Sequence, residues 1–337
     1  MKIVKYSKKY GPLLKIKKDF YTNNSLFIKN SIKVNKFYSK QKKRRKCKNC
    51  NSKIAKNYIK NFYVSYSICK KCNHLNGEFE DTKKFTNWLY QKDGVFSQNY
   101  AINYLKDYNT RVKNIYIPKV EFLKKVIKEK ITLLDMGAGG GHLLRALELK
   151  KIKAIGIESN SSLTNLGQKK LKKNKLIKLE LNKSYSFVKN TKNFNVVSLI
   201  GVLEHLEKPN DFLVAFNQSS AKYLYITVPL YSLSTFLENS FKHVYPRHLS
   251  DGHTHLYTEK SLNYLAKKNN LNIVGEWWFG TDIADLYRSL SLSKDVLNKK
   301  IFQNELKKNL SNHIDTLQAV LDKQKNCSEV HMIFKKK

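Results

Sequence analysis

Residues Ile131–Lys150 read ITLLDMGAGGGHLLRALELK. The opening ITLLDMG is a short apolar run that stops at glycine, the pattern of a buried strand. GHLLRALELK then spaces its leucines as an amphipathic helix does. Between them lies Asp135-x-Gly137-x-Gly139-x-Gly141. A sharp strand-to-helix turn needs glycine there, for positive φ and for close approach of backbone to a ligand.

Working outward, the same alternation continues. KAIGIE, LIKLEL, FNVVSLI, KYLYITVP, LNIVGEWW and SEVHMIF read as strands. SSLTNLGQKKLKKN, NDFLVAFNQ and TEKSLNYLAKKNN read as helices between them. Strands alternating with helices predict an α/β fold with a doubly wound, Rossmann-like, mostly parallel seven-stranded sheet. It would occupy 131–337, with a helical insertion at 280–325. Ahead of it lie a basic segment at 1–45, a cysteine module at 46–79 with NFYVSYSI as a strand, and a helical connection at 80–130 broken at Pro118. Residues 1–45 alternate Lys with Ile, Val, Phe and Tyr, which fits a few short strands or a basic arm.

Ligands of such sheets bind at the carboxyl ends of the strands. A dinucleotide fingerprint would need a third glycine at position 142, which is His142. The Asp-x-Gly-x-Gly-x-Gly form instead resembles the class I S-adenosylmethionine-dependent methyltransferases. The resemblance extends to FNVVSLIGVLEHLEKPNDFL and YITVPLY, and covers roughly residues 100–337. It implies that Asp135, Gly137, Ala138, Gly139 and Gly141 face the methionine and ribose parts of S-adenosyl-L-methionine. It also implies that Glu158, followed by Ser159, accepts hydrogen bonds from the ribose hydroxyls, and that Val202 and Leu203 lie under the cofactor. The family often holds the adenine amine with an acid near the end of strand three. Here the row reads LELNKSY, and Asn182 or backbone would take that role.

Methyl transfer needs an aligned acceptor, and a base where that acceptor is a hydroxyl or an acidic C–H. Base amino groups would call for Asn/Asp-Pro-Pro-Tyr after strand four, where this chain has GVLEHL, and pyrimidine carbon 5 would call for a cysteine, of which none lies between 73 and 326. FKHVYPRHLSDGHTHLYTEKSL gathers His243, His248, His253 and His255 after strand five. His titrates near neutrality. In an extended segment His253 and His255 would face one side. The stretch resembles the His-containing loop of methyltransferases that act on sugars and cell-surface glycan precursors. The candidate catalytic set is therefore His253, His255, His205 and Glu204. A metal held by Glu204, His205, His253 and His255 is a second arrangement of the same groups.

Cys47, Cys50, Cys69 and Cys72 form Cys-x2-Cys-x18-Cys-x2-Cys, which suits a tetrahedral structural Zn2+ in a ribbon-like module. Some nucleotide-sugar C-methyltransferases carry such a module. Cys327 stands apart, as a small buried residue. His74 is superfluous to four thiolates.

The formal net charge is +38. Through residue 75 there are 22 Lys and Arg against one acid, Asp19, which gives 22 − 1 = 21 of it. Such a field attracts nucleic acid, an anionic membrane surface or phosphorylated small molecules. AT-rich codon usage is the competing source of the lysines. The expected acceptor is a sugar, nucleotide sugar or related small molecule. The alternative is an RNA (tRNA or rRNA) methyltransferase, or a nucleic-acid-binding protein gripping with ribbon and arm. With no long apolar run and no signal-peptide pattern, a cytoplasmic location is expected.

Overall fold

A computed structural model describes residues 1–11, 19–54, 59–90, 107–249 and 252–337. The central sheet has eight strands: β1 (Ile3–Tyr6), β5 (Thr132–Met136), β6 (Lys153–Glu158), β7 (Lys175–Lys178), β8 (Val196–Ile200), β9 (Tyr223–Pro229), β11 (Leu271–Phe279) and β12 (Glu329–Lys336). Their order is β1-β11-β12-β9-β8-β5-β6-β7. Strands β5 to β9 pair in parallel, while β12 runs antiparallel to both β9 and β11. The chain moves outward from β5 through β6 to β7, then crosses back to β8. The strand order therefore reverses between β5 and β8, where an open α/β sheet leaves its crevice.

Both faces are covered, as the near-continuous apolar runs require. Helices Ile117–Val126 and His142–Leu149 pack Val120, Phe122, Leu123, Leu143, Leu144 and Leu147 against one face. Helices Leu181–Asn190, Pro209–Gln218 and Glu259–Lys268 pack Val188, Phe212, Phe216, Leu262 and Leu265 against the other. Thr258 caps the last of these, accepting from the Ser261 N–H. Asn160 caps the helix Ser161–Lys170, its side chain accepting from the Leu163 N–H.

The sheet exceeds the expected seven strands by one. Ile3–Tyr6 adds in parallel to the β11 edge, with Ile3 opposite Gly275. Trp277 donates its indole N–H to the Ser7 carbonyl at 2.9 Å, and the Lys5 ammonium lies 3.6 Å from the centre of the Trp277 ring. Alternating Lys and apolar residues thus serve an edge strand whose cations lie on aromatic and acidic neighbours. Part of the basic segment is helical instead, at Asn24–Tyr38.

The cysteine module has its own four-stranded sheet, ordered β10-β4-β3-β2, from β2 (Ile59–Asn61), β3 (Val64–Ile68), β4 (Leu75–Gly77) and β10 (His255–Leu256). NFYVSYSI, expected as one strand, is folded into a hairpin at Phe62 and Tyr63, both at positive φ. The fourth strand, β10, comes from the segment after β9. Val34, Tyr38, Tyr66, Leu75, Phe79, Phe85, Leu249 and Leu256 form one apolar cluster, so the module's core is shared with that segment. In the connection, Tyr108–Arg111 is α-helical, Val112–Tyr116 is a π turn, and Pro118 lies in the first turn of the next helix rather than breaking one. Helicity expected at 91–106 lies outside the described residues.

Candidate active site

Asp135 closes β5 and is buried. It accepts a hydrogen bond from the Ser198 hydroxyl at 2.6 Å across the β5–β8 pair. Burial pushes its carboxyl up to about 7, with Glu158 adding in the same direction and Ser198 opposing. Gly137, Gly139 and Gly141 all take positive φ. At Gly137 a Cβ would stand 2.7 Å from Val202 Cγ2, so the loop seats directly on the segment after β8. The next helix begins at His142, with Gly141 as its cap.

Glu158 ends β6 and reaches back to this loop. Its Oε2 accepts the Gly139 N–H at 2.8 Å, and its Oε1 accepts the Asn160 N–H at 2.8 Å and the Ser159 hydroxyl at 3.4 Å. Val202 and Leu203 follow β8, and Leu203–His205 form a short 3-10 turn. The structure thus brings Asp135, the glycine loop with Ala138, Glu158, Ser159, Val202 and Leu203 to one crevice at the β5–β8 reversal. Asn182 lies exposed in the first turn of the helix after β7. Glu180 precedes that helix as its cap residue, without a side-chain capping bond. It is an acid close to the end of β7 that the reading of LELNKSY passed over.

Glu204, His205 and His253 meet beside this crevice, with one ligand-type atom from each lying within 4.8 Å of the others. Glu204 is buried, and its Oε2 has no hydrogen-bond partner among the described residues. Burial raises its carboxyl to about 8 and lowers His205 to about 4. The His205 and His253 rings stack, centroids 4.9 Å apart. Burial, the His205 ring and the His248 ring hold His253 well below the usual imidazole range. At neutral pH both rings are therefore neutral acceptors.

His255 is not in this group. Its Nδ1 lies 2.9 Å from His74 Nε2, inside the module contact. The expected common side for His253 and His255 fails because the extended strand begins only at His255. His253 sits before it, in a tight turn closed by Thr254 N–H donating to the Gly252 carbonyl. His243 and His248 anchor the segment: His248 Nδ1 donates to Glu238 at 2.9 Å and His243 Nε2 to the Ser289 carbonyl at 3.3 Å.

The four cysteine sulfurs are buried and lie within 4.8 Å of one another. Cys47 and Cys72 are 3.6 Å apart, Cys50 and Cys69 3.5 Å. A tetrahedron of thiolates around Zn2+ has edges of about 3.8 Å, so this donor set fits that ion. Each knuckle is built alike. Asn51 N–H donates to the Cys47 carbonyl and Asn73 N–H to the Cys69 carbonyl, both Asn residues at φ 62°. Asn tolerates that left-handed conformation better than most residues. Cys327 is buried in the main core, as expected.

A family model described as a methyltransferase domain matches residues 108–276. No curated protein matches the sequence. Several solved structures are similar to this chain at low identity. The plantazolicin methyltransferase BamL, solved with a triazolic desmethylPZN analog and SAH, is 14% identical, with a TM-score of 0.46 over 74% of this chain and 93% of that one. The magnesium protoporphyrin IX methyltransferase ChlM from Synechocystis PCC 6803, with bound SAH, is 10% identical, with a TM-score of 0.43 over 75% and 93%. A SAM-dependent methyltransferase from Archaeoglobus fulgidus is 17% identical, with a TM-score of 0.44 over 69% and 100%.

Proposed function

Since the chain belongs to the methyltransferase-domain family and is an S-adenosylmethionine-dependent enzyme, we propose that it methylates a hydroxyl or acidic carbon of a small polar acceptor, of the sugar or nucleotide-sugar class. The observation that carries this reading is the seat of the Gly137–Gly141 loop between Val202 and the Glu158 carboxylate. In this reading Asp135, Gly137, Ala138, Gly139 and Gly141 surround the methionine and ribose, Glu158 and Ser159 take the ribose hydroxyls, and Val202 and Leu203 lie beneath the cofactor. Glu180 is the better-placed acid for the adenine amine. When bound, the cofactor supplies an electrophilic methyl group on a sulfonium.

The chain's own residues do the rest. Glu204, His205 and His253 present polar, partly desolvated groups where an acceptor would meet that methyl. The acceptor gives up its proton beside this cluster, while the crevice holds the two reactants in line. His255 is reassigned: it positions the segment that carries His253 and does not face the acceptor. The cysteine module holds a structural Zn2+ in this reading. Four protein thiolates leave that ion no open position, so it does no chemistry.

The charge supports a phosphorylated or nucleotide-linked acceptor. The 22 cations of the first 75 residues equally favour a second reading, in which the acceptor is RNA. Calorimetry with S-adenosylmethionine tests the first half of the proposal. Glu158→Gln should weaken binding by about tenfold or more, which corresponds to about 1.4 kcal/mol. Unchanged affinity would remove Glu158 from the site. A methyl-transfer screen over nucleotide sugars and bulk tRNA tests the second half: turnover of tRNA alone would replace the sugar reading with the RNA one.

A further inference from the structure

We propose that Glu204, His205 and His253 form a second metal site, which takes a first-row transition dication and leaves coordination positions open toward the acceptor. The inference rests on the methyltransferase reading for its role but not for its existence.

Three observations carry it. One ligand-type atom from each residue already lies within 4.8 Å of the other two. Glu204 is buried, and among the described residues its Oε2 meets no hydrogen-bond donor, a costly state for a polar atom that a cation at this place would relieve. The imidazoles are also held from behind. His253 Nδ1 donates to the Arg247 carbonyl at 3.1 Å, so its Nε2 carries the lone pair. The His205 ring hydrogen-bonds the Gly252 backbone. Metal-ligating histidines are oriented in this way, by a carbonyl or carboxylate on the ring nitrogen that does not ligate.

The donor set chooses the ion. Two imidazoles and one carboxylate suit Zn2+, Fe2+, Mn2+ or Co2+, whereas Mg2+ and Ca2+ favour oxygen-only shells. Three protein ligands also leave room for water or an acceptor oxygen, unlike the closed four-thiolate site. Glu204 follows Val202 by two residues, and Val202 abuts the Gly137 turn, so the ion would sit beside the methyl donor. An acceptor hydroxyl bound to it would release its proton to water more readily. The resulting oxygen would form its bond to the methyl carbon as the carbon–sulfur bond breaks, the electron pair passing to sulfur and leaving S-adenosylhomocysteine.

The test is metal stoichiometry on the full chain, stripped with chelator and reloaded with Co2+. We expect two equivalents: one with thiolate-to-cobalt charge-transfer absorption, lost in Cys69→Ser, and one with only weak ligand-field bands. The second should be lost in His253→Ala and in Glu204→Gln, while the charge-transfer band persists. His253 is partly exposed, so its variant retains a fold check by circular dichroism even if Glu204→Gln destabilises the core. A single equivalent in the parent protein, or a second one that survives both substitutions, overturns the proposal. Two equivalents without any methyl transfer would sink the acceptor reading and leave the metal site standing.

Discussion

His74 Nε2 and His255 Nδ1 lie 2.9 Å apart, both rings fully buried, and join the cysteine module to the segment that follows β9. The contact is not isolated. The His74 carbonyl accepts the Cys69 N–H, and β4 pairs with β10 in the register Asn76 opposite His255. Asn49 donates to the Ser261 carbonyl, and Asn210 to the Lys48 carbonyl. At Gly77 a Cβ would stand 2.5 Å from the Thr254 carbonyl, so module and segment are in close contact. His253 is two residues from His255. The module therefore holds the segment that carries His253 in place.

From this follows the first prediction. Chelation, or Cys69→Ser, should remove the thiolate-bound metal and loosen residues 252–257, seen as faster amide hydrogen exchange there. S-adenosylmethionine affinity should change little, because the contacts that join module and segment involve no residue of the glycine loop. Misplacing His253 by about 1 Å would lower turnover by roughly a hundredfold. A thiolate-to-cobalt charge-transfer band that survives Cys69→Ser, or unchanged exchange at 252–257, would refute the coupling.

The glycine loop gives a graded pair. Gly137 and Gly139 both have positive φ, at 71° and 54°. An alanine at either position bears the left-handed strain of about 1–2 kcal/mol. At Gly137 the new methyl also meets Val202 Cγ2 at 2.7 Å, while at Gly139 nothing lies within 4 Å. Gly137→Ala should therefore lower thermal stability clearly more than Gly139→Ala, and should weaken cofactor binding. Equal melting temperatures for the two variants would remove Val202 as the reason for that glycine.

Asp135 trades stability for its place in the crevice. Its folded carboxyl sits at about 7, above the ordinary value of 3.8, chiefly through burial. The unfolded chain therefore ionises first as pH rises, and the free protein loses stability between about pH 4 and pH 7. Asp135→Asn keeps a partner for the Ser198 hydroxyl and removes that loss. The variant should be more stable than the parent at pH 8, by roughly 1–3 kcal/mol, and no more stable at pH 4. Its cofactor affinity should be lower. Parallel stability curves for the two proteins across that range would contradict the assignment.

Much of this was readable in the residues, for a physical reason. The strand and helix order of 131–337 is written in local periodicity, and the two Cys-x2-Cys pairs carry their own geometry. Four features were not. The Asp135–Ser198 bond spans two strands, and the His74–His255 bond joins groups 181 positions apart, so only the fold reveals them. The alternation of His253 and His255 suggested one shared face, yet the strand that would impose it starts at His255. Residues 3–6 carried too little pattern to distinguish an edge strand from an arm until β11 supplied the partner.

His331 gives the last prediction, in the core of β12. Its Nε2 donates to Glu329 at 3.2 Å, and its Nδ1 accepts from the Tyr225 hydroxyl at 2.7 Å. Both ring nitrogens are occupied in the neutral form. Burial, helped by Lys119, lowers the ring from 6.5 to about 3, with Glu329 opposing. The sign is opposite to that of Asp135. Below pH 6.5 the unfolded chain takes up the proton first, so stability falls with pH until the folded ring titrates near 3. While only the unfolded form protonates, the loss approaches about 1.4 kcal/mol per pH unit. His331→Gln offers both a donor and an acceptor without titrating, and should flatten the stability curve between pH 6 and pH 4 while lowering stability at pH 8. Urea unfolding at several pH values measures both effects, and an unchanged slope in the variant would show that His331 is not the group responsible.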